Sequence, residues 1–277
     1  MRVRTVLYLS VLVGCSRGHL AGQSAPRALD LVVVPGGEFL QGIDEAALEE
    51  LVALCSEHAE TPCAREPLLE HHRNETPQRR VHVEAFEIDR VEVSNAAYRA
   101  CVAAGHCAAI DYAACTFFRA GEQVIGGELD PSSQHEQAPV VCVTWEQAVA
   151  YCAWAGKRLP SELEWEKAAR GDDGRRFPWG DAWDPKAANW YDDESGSIDG
   201  YVTLAPVGSF PSGASPYGAL DMAGNVWEWV ADGGSDGQRV VRGGGHAAKP
   251  IALRTTKRIL RDPHGWENVG FRCARSI

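Results

Sequence analysis

Residues 217–232 read YGALDMAGNVWEWVAD, and the fold turns on this stretch. Trp227 and Trp229 stand two apart, so an extended backbone puts both indoles on one face and sends Val226 and Glu228 to the other. Aromatic side chains carry the largest apolar area a chain can bury, so the pair is expected to anchor the core. Gly218 and Gly224 interrupt the run and allow a bent backbone that turns carbonyls inward. Asp221 and Glu228 add carboxylates, and hard oxygens gathered in a short irregular segment suit Ca²⁺. Spacing alone favours a plainer reading, with Asp221 capping a turn and Glu228 in solvent.

Around this stretch, the 277 residues include 28 Gly, 15 Pro and 9 Trp, which describes a loop-rich globular chain. A net charge of −11 excludes the basic face that nucleic-acid binding requires. The first fifteen residues, MRVRTVLYLSVLVGC, place Arg2 and Arg4 before an apolar run, Val6 to Val13, that is too short to span a bilayer. Leu12-Val13-Gly14-Cys15 resembles a bacterial lipobox. Residues 1–14 then read as a lipoprotein signal, Cys15 as the lipidated N-terminus and residues 15–30 as a tether. Two or more acyl chains make such an anchor stable. Ser16, a non-acidic residue after the cysteine, directs the expectation to the outer membrane or a periplasm-facing site. A plain secretory signal cut near Ala21 is the alternative. Without Cys15, eight cysteines remain, an even set that in an exported chain reads as disulfides.

Local signals divide the rest. Leu31 to Val34 is a strand. Asp44 caps a helix with Leu48, Leu51, Val52 and Cys55 on one face, and Cys55 with Cys63 staples an excursion over about 43–74. Pro62 and Pro67 predict irregular chain there, and the adjacent His71 and His72 are expected in solvent. Residues 80–93 read as two strands, and Ser94 caps a helix. Thr144 with Gln147 and Ser161 with Glu164 are capping boxes opening two further helices. Beyond Asp172 helical periodicity disappears. The connectivity of Cys101, Cys107, Cys115 and Cys142 stays open.

Seven segments, in order, carry a family resemblance: VPGGEFLQG (34–42), ETPQRRVHVEAFEIDRVEVSNAAY (75–98), PVVCVTWEQAVAYCAWAGKRLPSELEWEKAARG (139–171), FPWGD (177–181), GNVWEW (224–229), RVVRGGG (239–245) and ENVGFRCAR (267–275). With them the chain resembles the formylglycine-generating enzyme, or sulfatase-modifying-factor, family over residues 34–274. The resemblance implies an α+β domain of the C-type-lectin-like type with little regular secondary structure, here over 31–277. It implies two structural calcium sites, one from Asn189, Trp190, Asp199 and Tyr201, the other from Asp221, Gly224, Val226 and Glu228. It also implies a disulfide between Cys152 and Cys273.

Oxidases of this family hold Cu(I) through two thiolates, the soft ligands that Cu(I) requires. The corresponding positions here are Ala248 and Leu253, and Gly245 replaces the pocket serine. Copper-dependent formylglycine formation is therefore not expected. Histidine-ligated iron branches of the superfamily use a helical domain that this chain lacks, and no GxSxG elbow supports a hydrolase. The expectation is a non-catalytic envelope lipoprotein that binds a peptide, protein or glycan through the former groove, with Gly245, His246, Lys249, Arg254, Trp266 and Asn268 as contacts. The alternative is a metal-dependent oxidase or maturation enzyme acting on an exported substrate, with a rebuilt site around His246, His264 and Asp262.

Overall fold

The computed structural model describes residues 30–58, 63–119, 121–191 and 198–277. The signal segment, Cys15 and all of the tether except Asp30 lie outside them. The elements in chain order are β1 (Leu31–Val34), β2 (Gly37–Gln41), α1 (Glu45–Glu57), α2 (Arg65–His72), β3 (Arg79–Val83), β4 (Phe86–Asp89), α3 (Asn95–Ala103), β5 (Thr116–Arg119) and β6 (Glu122–Ile125). They continue with α4 (Trp145–Trp154), α5 (Glu162–Arg170), β7 (Trp227–Gly233), β8 (Arg239–Arg242), β9 (Arg258–Arg261), β10 (Val269–Phe271) and β11 (Ala274–Ser276). The fold is α+β, with small sheets and no α-helix after α5 among the described residues, as the loss of periodicity beyond Asp172 predicts.

The two capping boxes form as their sequences require. Thr144 accepts from Gln147 N while the Gln147 side chain returns to Thr144 N, and Ser161 and Glu164 do the same for α5. α5 is buried almost throughout. Its Trp165, Ala168 and Ala169 pack with Phe39, Phe86, Ile88 and Val230. A four-stranded sheet, ordered β10-β7-β8-β9, carries the opening stretch at its centre, with β10 parallel to β7 and the other pairings antiparallel. Trp227 and Trp229 lie in one cluster with Tyr98, Tyr151, Trp266 and Phe271, so the shared face is the core face. Val226, on the opposite side, joins Phe117 and Leu129 in another cluster.

A three-stranded sheet, β1-β4-β11, brings the two ends of the domain together. Beside it β2 pairs with β3 in a register that sets Gln41 opposite Arg79, so the excursion between them leaves and returns at one place. Gly42 starts that excursion at φ +75°, and a Cβ there would lie 2.5 Å from the Glu75 carbonyl oxygen. Two local expectations fail inside the excursion. Residues 65–72 are helical because Pro67 falls in the first turn, where a missing N–H breaks no intrahelical bond. His72 is 2% exposed rather than solvated, because it turns inward beneath the Arg254–Lys257 segment.

Four disulfides join Cys55 to Cys63, Cys101 to Cys107, Cys115 to Cys142 and Cys152 to Cys273, which resolves the connectivity that the sequence left open. The last spans 121 residues, against 6 for Cys101–Cys107. By chain entropy, replacing Cys152 and Cys273 with serine should cost about 5 kcal/mol, and replacing Cys101 and Cys107 about 2 kcal/mol. Denaturant titration of the two double variants checks the order. Equal losses would mean that the chain-entropy account fails here.

Candidate functional site

The segment from Gly243 to Arg258 follows β8 and is the place where the implied chemistry would sit. Ala248 and Leu253, the positions of the absent thiols, are packed into an apolar cluster with Leu54, Phe177, Trp179, Trp183 and Trp190. Leu54 comes from α1, and Ile251 packs against Leu48, Leu51 and Leu69 of α1 and α2. The excursion therefore covers this segment. All eight cysteines from Cys55 to Cys273 are spent in disulfides, so none of them offers a thiolate.

The expected groove residues separate. His246 and Asn268 line one cavity of about 750 Å³, together with Phe118, Arg119, Ser133 and Glu267. Gly245, the residue before His246, leaves little room for a side chain, since a Cβ would be 3.3 Å from the Trp227 ring. Lys249 lies outside, over the ring of Tyr191 at 4.3 Å. Trp266 is buried, stacked 4.7 Å from His264 and 5.9 Å from Phe118, with its indole N–H given to the Asp262 carbonyl. Arg254 is also buried, because Glu75 draws it inward with two bonds of 2.7 and 2.9 Å. Trp266 and Arg254 are thus framework, not groove. The β5–β6 hairpin supplies the cavity wall that the sequence reading lacked.

Within the cavity, Arg119 Nη1 and the Phe118 N–H both donate to Glu267, at 2.8 and 2.6 Å. The Asn268 Oδ1 is buried without a hydrogen-bond donor. The His246 backbone N–H donates to the Asn225 carbonyl at 2.8 Å, and burial holds the imidazole below its ordinary pKa. The site therefore presents hydrogen-bond acceptors beside an aromatic wall. His264 is engaged elsewhere, its Nε2 lying 2.8 Å from the Thr116 hydroxyl. Among the described residues no three His, Cys, Asp or Glu side chains form a metal-ligand group.

The oxygens implied for calcium need a different test, because amides and carbonyls dominate them. Asn189 Oδ1 is buried with no partner, while its Nδ2 donates to the Thr203 carbonyl and to Asn225 Oδ1, at 2.8 and 3.0 Å. Asp199 accepts from the N–H groups of Trp190 and Tyr201, both at 2.8 Å, which wraps the chain around one carboxylate. That set fits a hard cation. The second set lies next to it, because Gly224 passes so close that a Cβ would be 2.1 Å from the Asn189 carbonyl oxygen. There Glu228 is committed elsewhere: Arg272 gives it two bonds of 2.7 Å and the Trp165 indole N–H one of 2.8 Å. The unbalanced charge is instead on Asp221 and Glu92. Burial pushes both carboxyls above their ordinary pKa, and the Asp221 charge raises Glu92 further, while Glu92 works against burial at Asp221. Glu92 Oε2 has no donor. Glu92 was the residue that sequence reading missed, and its one signal was a carboxylate between Val91 and Val93.

A lectin-like, disulfide-stapled α+β domain with this ordered set of segments defines a class. The chain belongs to the family described as the sulfatase-modifying factor enzyme 1-like domain, which matches residues 17–277. The formylglycine-generating enzyme of Mus musculus is 31% identical across 91% of this chain and 77% of that one. The inactive C-alpha-formylglycine-generating enzyme 2 of the same organism is 41% identical, but over 50% of each chain, so the match spans half the length of that relative. Among solved structures, PvdO from Pseudomonas aeruginosa is similar with a TM-score of 0.66 and 29% identity, covering 90% of this chain and 95% of that one.

The buried cluster under the excursion generates a pH dependence. Burial is the main force lowering the pKa of His72 to about 4, with Lys257 and Arg254 adding to it and Glu75 opposing. The unfolded chain takes up this proton near pH 6.5 and the folded one does not, so stability is full above pH 6.5 and falls as pH drops toward 4. The loss should approach about 3 kcal/mol, and His72→Gln should flatten it. Urea midpoints measured between pH 7 and pH 4 on both proteins check this. An equal slope in the variant assigns the effect to other groups.

Proposed function

We propose that this chain is a non-catalytic member of its family, a binding module that takes an exported peptide, protein or glycan in the cavity between the β5–β6 hairpin and the His246 segment. The observation that carries this reading is the state of Ala248 and Leu253. Their side chains ligate nothing, and α1 packs over them as a core. The likeness over half its length to a relative named inactive supports it. We further propose that the module is held at the bacterial envelope by a lipid on Cys15, that four disulfides suit it to that oxidising compartment, and that calcium is a structural cofactor. Asn189, Trp190, Asp199 and Tyr201 would hold one ion, and Asp221, Gly224 and Val226 with Glu92 a second. The ions would neutralise buried carboxylates and cross-link loops too polar to pack.

The test is a copper-loaded turnover assay of the purified domain on a cysteine peptide, read by mass spectrometry, with elemental analysis of the same sample. No formylglycine and close to two calcium ions per chain are expected. Chelation should lower stability by about 5 kcal/mol, roughly 2.7 for each of the two ions, if calcium was present at a hundred times its dissociation constant. Turnover would refute the non-catalytic reading, and a transition metal lost on His246→Ala would support an enzyme instead.

A further inference from the structure

A second cavity, of about 440 Å³, opens beside β9 and is lined by His71, Asn74, Trp227, Lys257, Ile259 and Arg261. Lys257 is the feature that needs explaining. Its side chain is 2% exposed, and its nearest polar neighbour is not a carboxylate but His72 Nδ1, at 3.2 Å. Glu75 Oε1 lies at 3.9 Å, and that carboxylate is already filled by Arg254, His72 and Thr256. The other charged groups acting on the amine, Arg254, Arg242 and Arg258, are cations, and the pKa of His71 is lowered by Lys257 itself. A buried lysine in such surroundings gives up its proton readily. Burial first, opposed by Glu75 and helped by the three arginines, brings this amine down to about 8. Arg261, on the same cavity wall, keeps its Nε buried with no hydrogen-bond partner.

We propose that Lys257 is a carbonyl-binding amine, and that the cavity takes a small anionic aldehyde or 2-oxo acid as a reversible Schiff base. Nζ attacks the carbonyl carbon, forming the C–N bond, and the carbonyl oxygen takes up a proton to give a carbinolamine. The C–O bond then breaks, the oxygen leaves as water and the nitrogen lone pair forms C=N. No oxidant or reductant is consumed. The ammonium proton leaves to solvent through the cavity before attack, since the neighbouring His72 imidazole, lowered to about 4, is too weak a base to hold it, and Arg261 attracts the ligand's carboxylate. Because the amine is covered by protein, a reagent reaches it only through the cavity.

Glyoxylate, a two-carbon aldehyde acid, with cyanoborohydride to trap the imine, tests this on the purified domain by peptide mass spectrometry. At pH 7 Lys257 should be labelled at least roughly tenfold faster than the exposed Lys186, from their difference in neutral amine, with a half-maximal rate near pH 8. Asn74→Trp and, as a second variant at another exposed wall position, His71→Trp should each suppress labelling at Lys257 and leave Lys186 unchanged. Labelling of Lys257 no faster than Lys186, or undiminished in a folded wall variant, would overturn the proposal.

Discussion

The ion pair of Glu228 and Arg272 is the contact on which the remaining architecture depends. Both side chains are fully enclosed. Glu228 stands in β7 between the two core indoles, and Arg272 follows β10, the parallel neighbour of that strand. Arg272 also donates to the carbonyls of Asp89, Arg90 and Leu220, and Glu228 accepts from Trp165 of α5. One pair thus ties both sheets, a helix and the glycine-rich turn at a single point. Removing either partner would leave a buried charge uncompensated, at a cost of about 3–5 kcal/mol. Segments with so little regular hydrogen bonding of their own need a fixed point of this kind.

How much of this could be read in advance follows from the range of the forces. Capping boxes act over three residues, so Ser161 with Glu164 and Thr144 with Gln147 were legible letter by letter. Alternation placed Trp227 and Trp229 on the core face for the same reason. Arg254 was not legible, because its partner Glu75 is 179 positions away, and an arginine beside a glycine strand looks exposed until that carboxylate is found. Glu92 was hidden similarly, among valines whose alternation gives no hint of the acidic neighbour at Asp221. The cavity at His246 and Asn268 needed the β5–β6 hairpin, which nothing in residues 243–268 announces.

The excursion between β2 and β3 changes the meaning of the segment it covers. Family resemblance alone describes residues 243–258 as a pocket stripped of two thiols. The packing of Leu54 and Ile251 shows that segment covered by α1 and α2, with His72, Glu75 and Arg254 as a buried polar cluster beneath them. The open cavity lies on the other flank, where His246 and Asn268 face the hairpin.

The strand register around that excursion has a consequence for inheritance. Gln41 and Arg79 face each other across the pair, so the chain leaves and returns at one point. With its ends fixed side by side, doubling the length of the segment costs only about 0.6 kcal/mol of closure entropy. The connection can therefore grow or shorten in evolution with little penalty at the strands, and how much of the 243–258 segment stays under cover is a matter of its length.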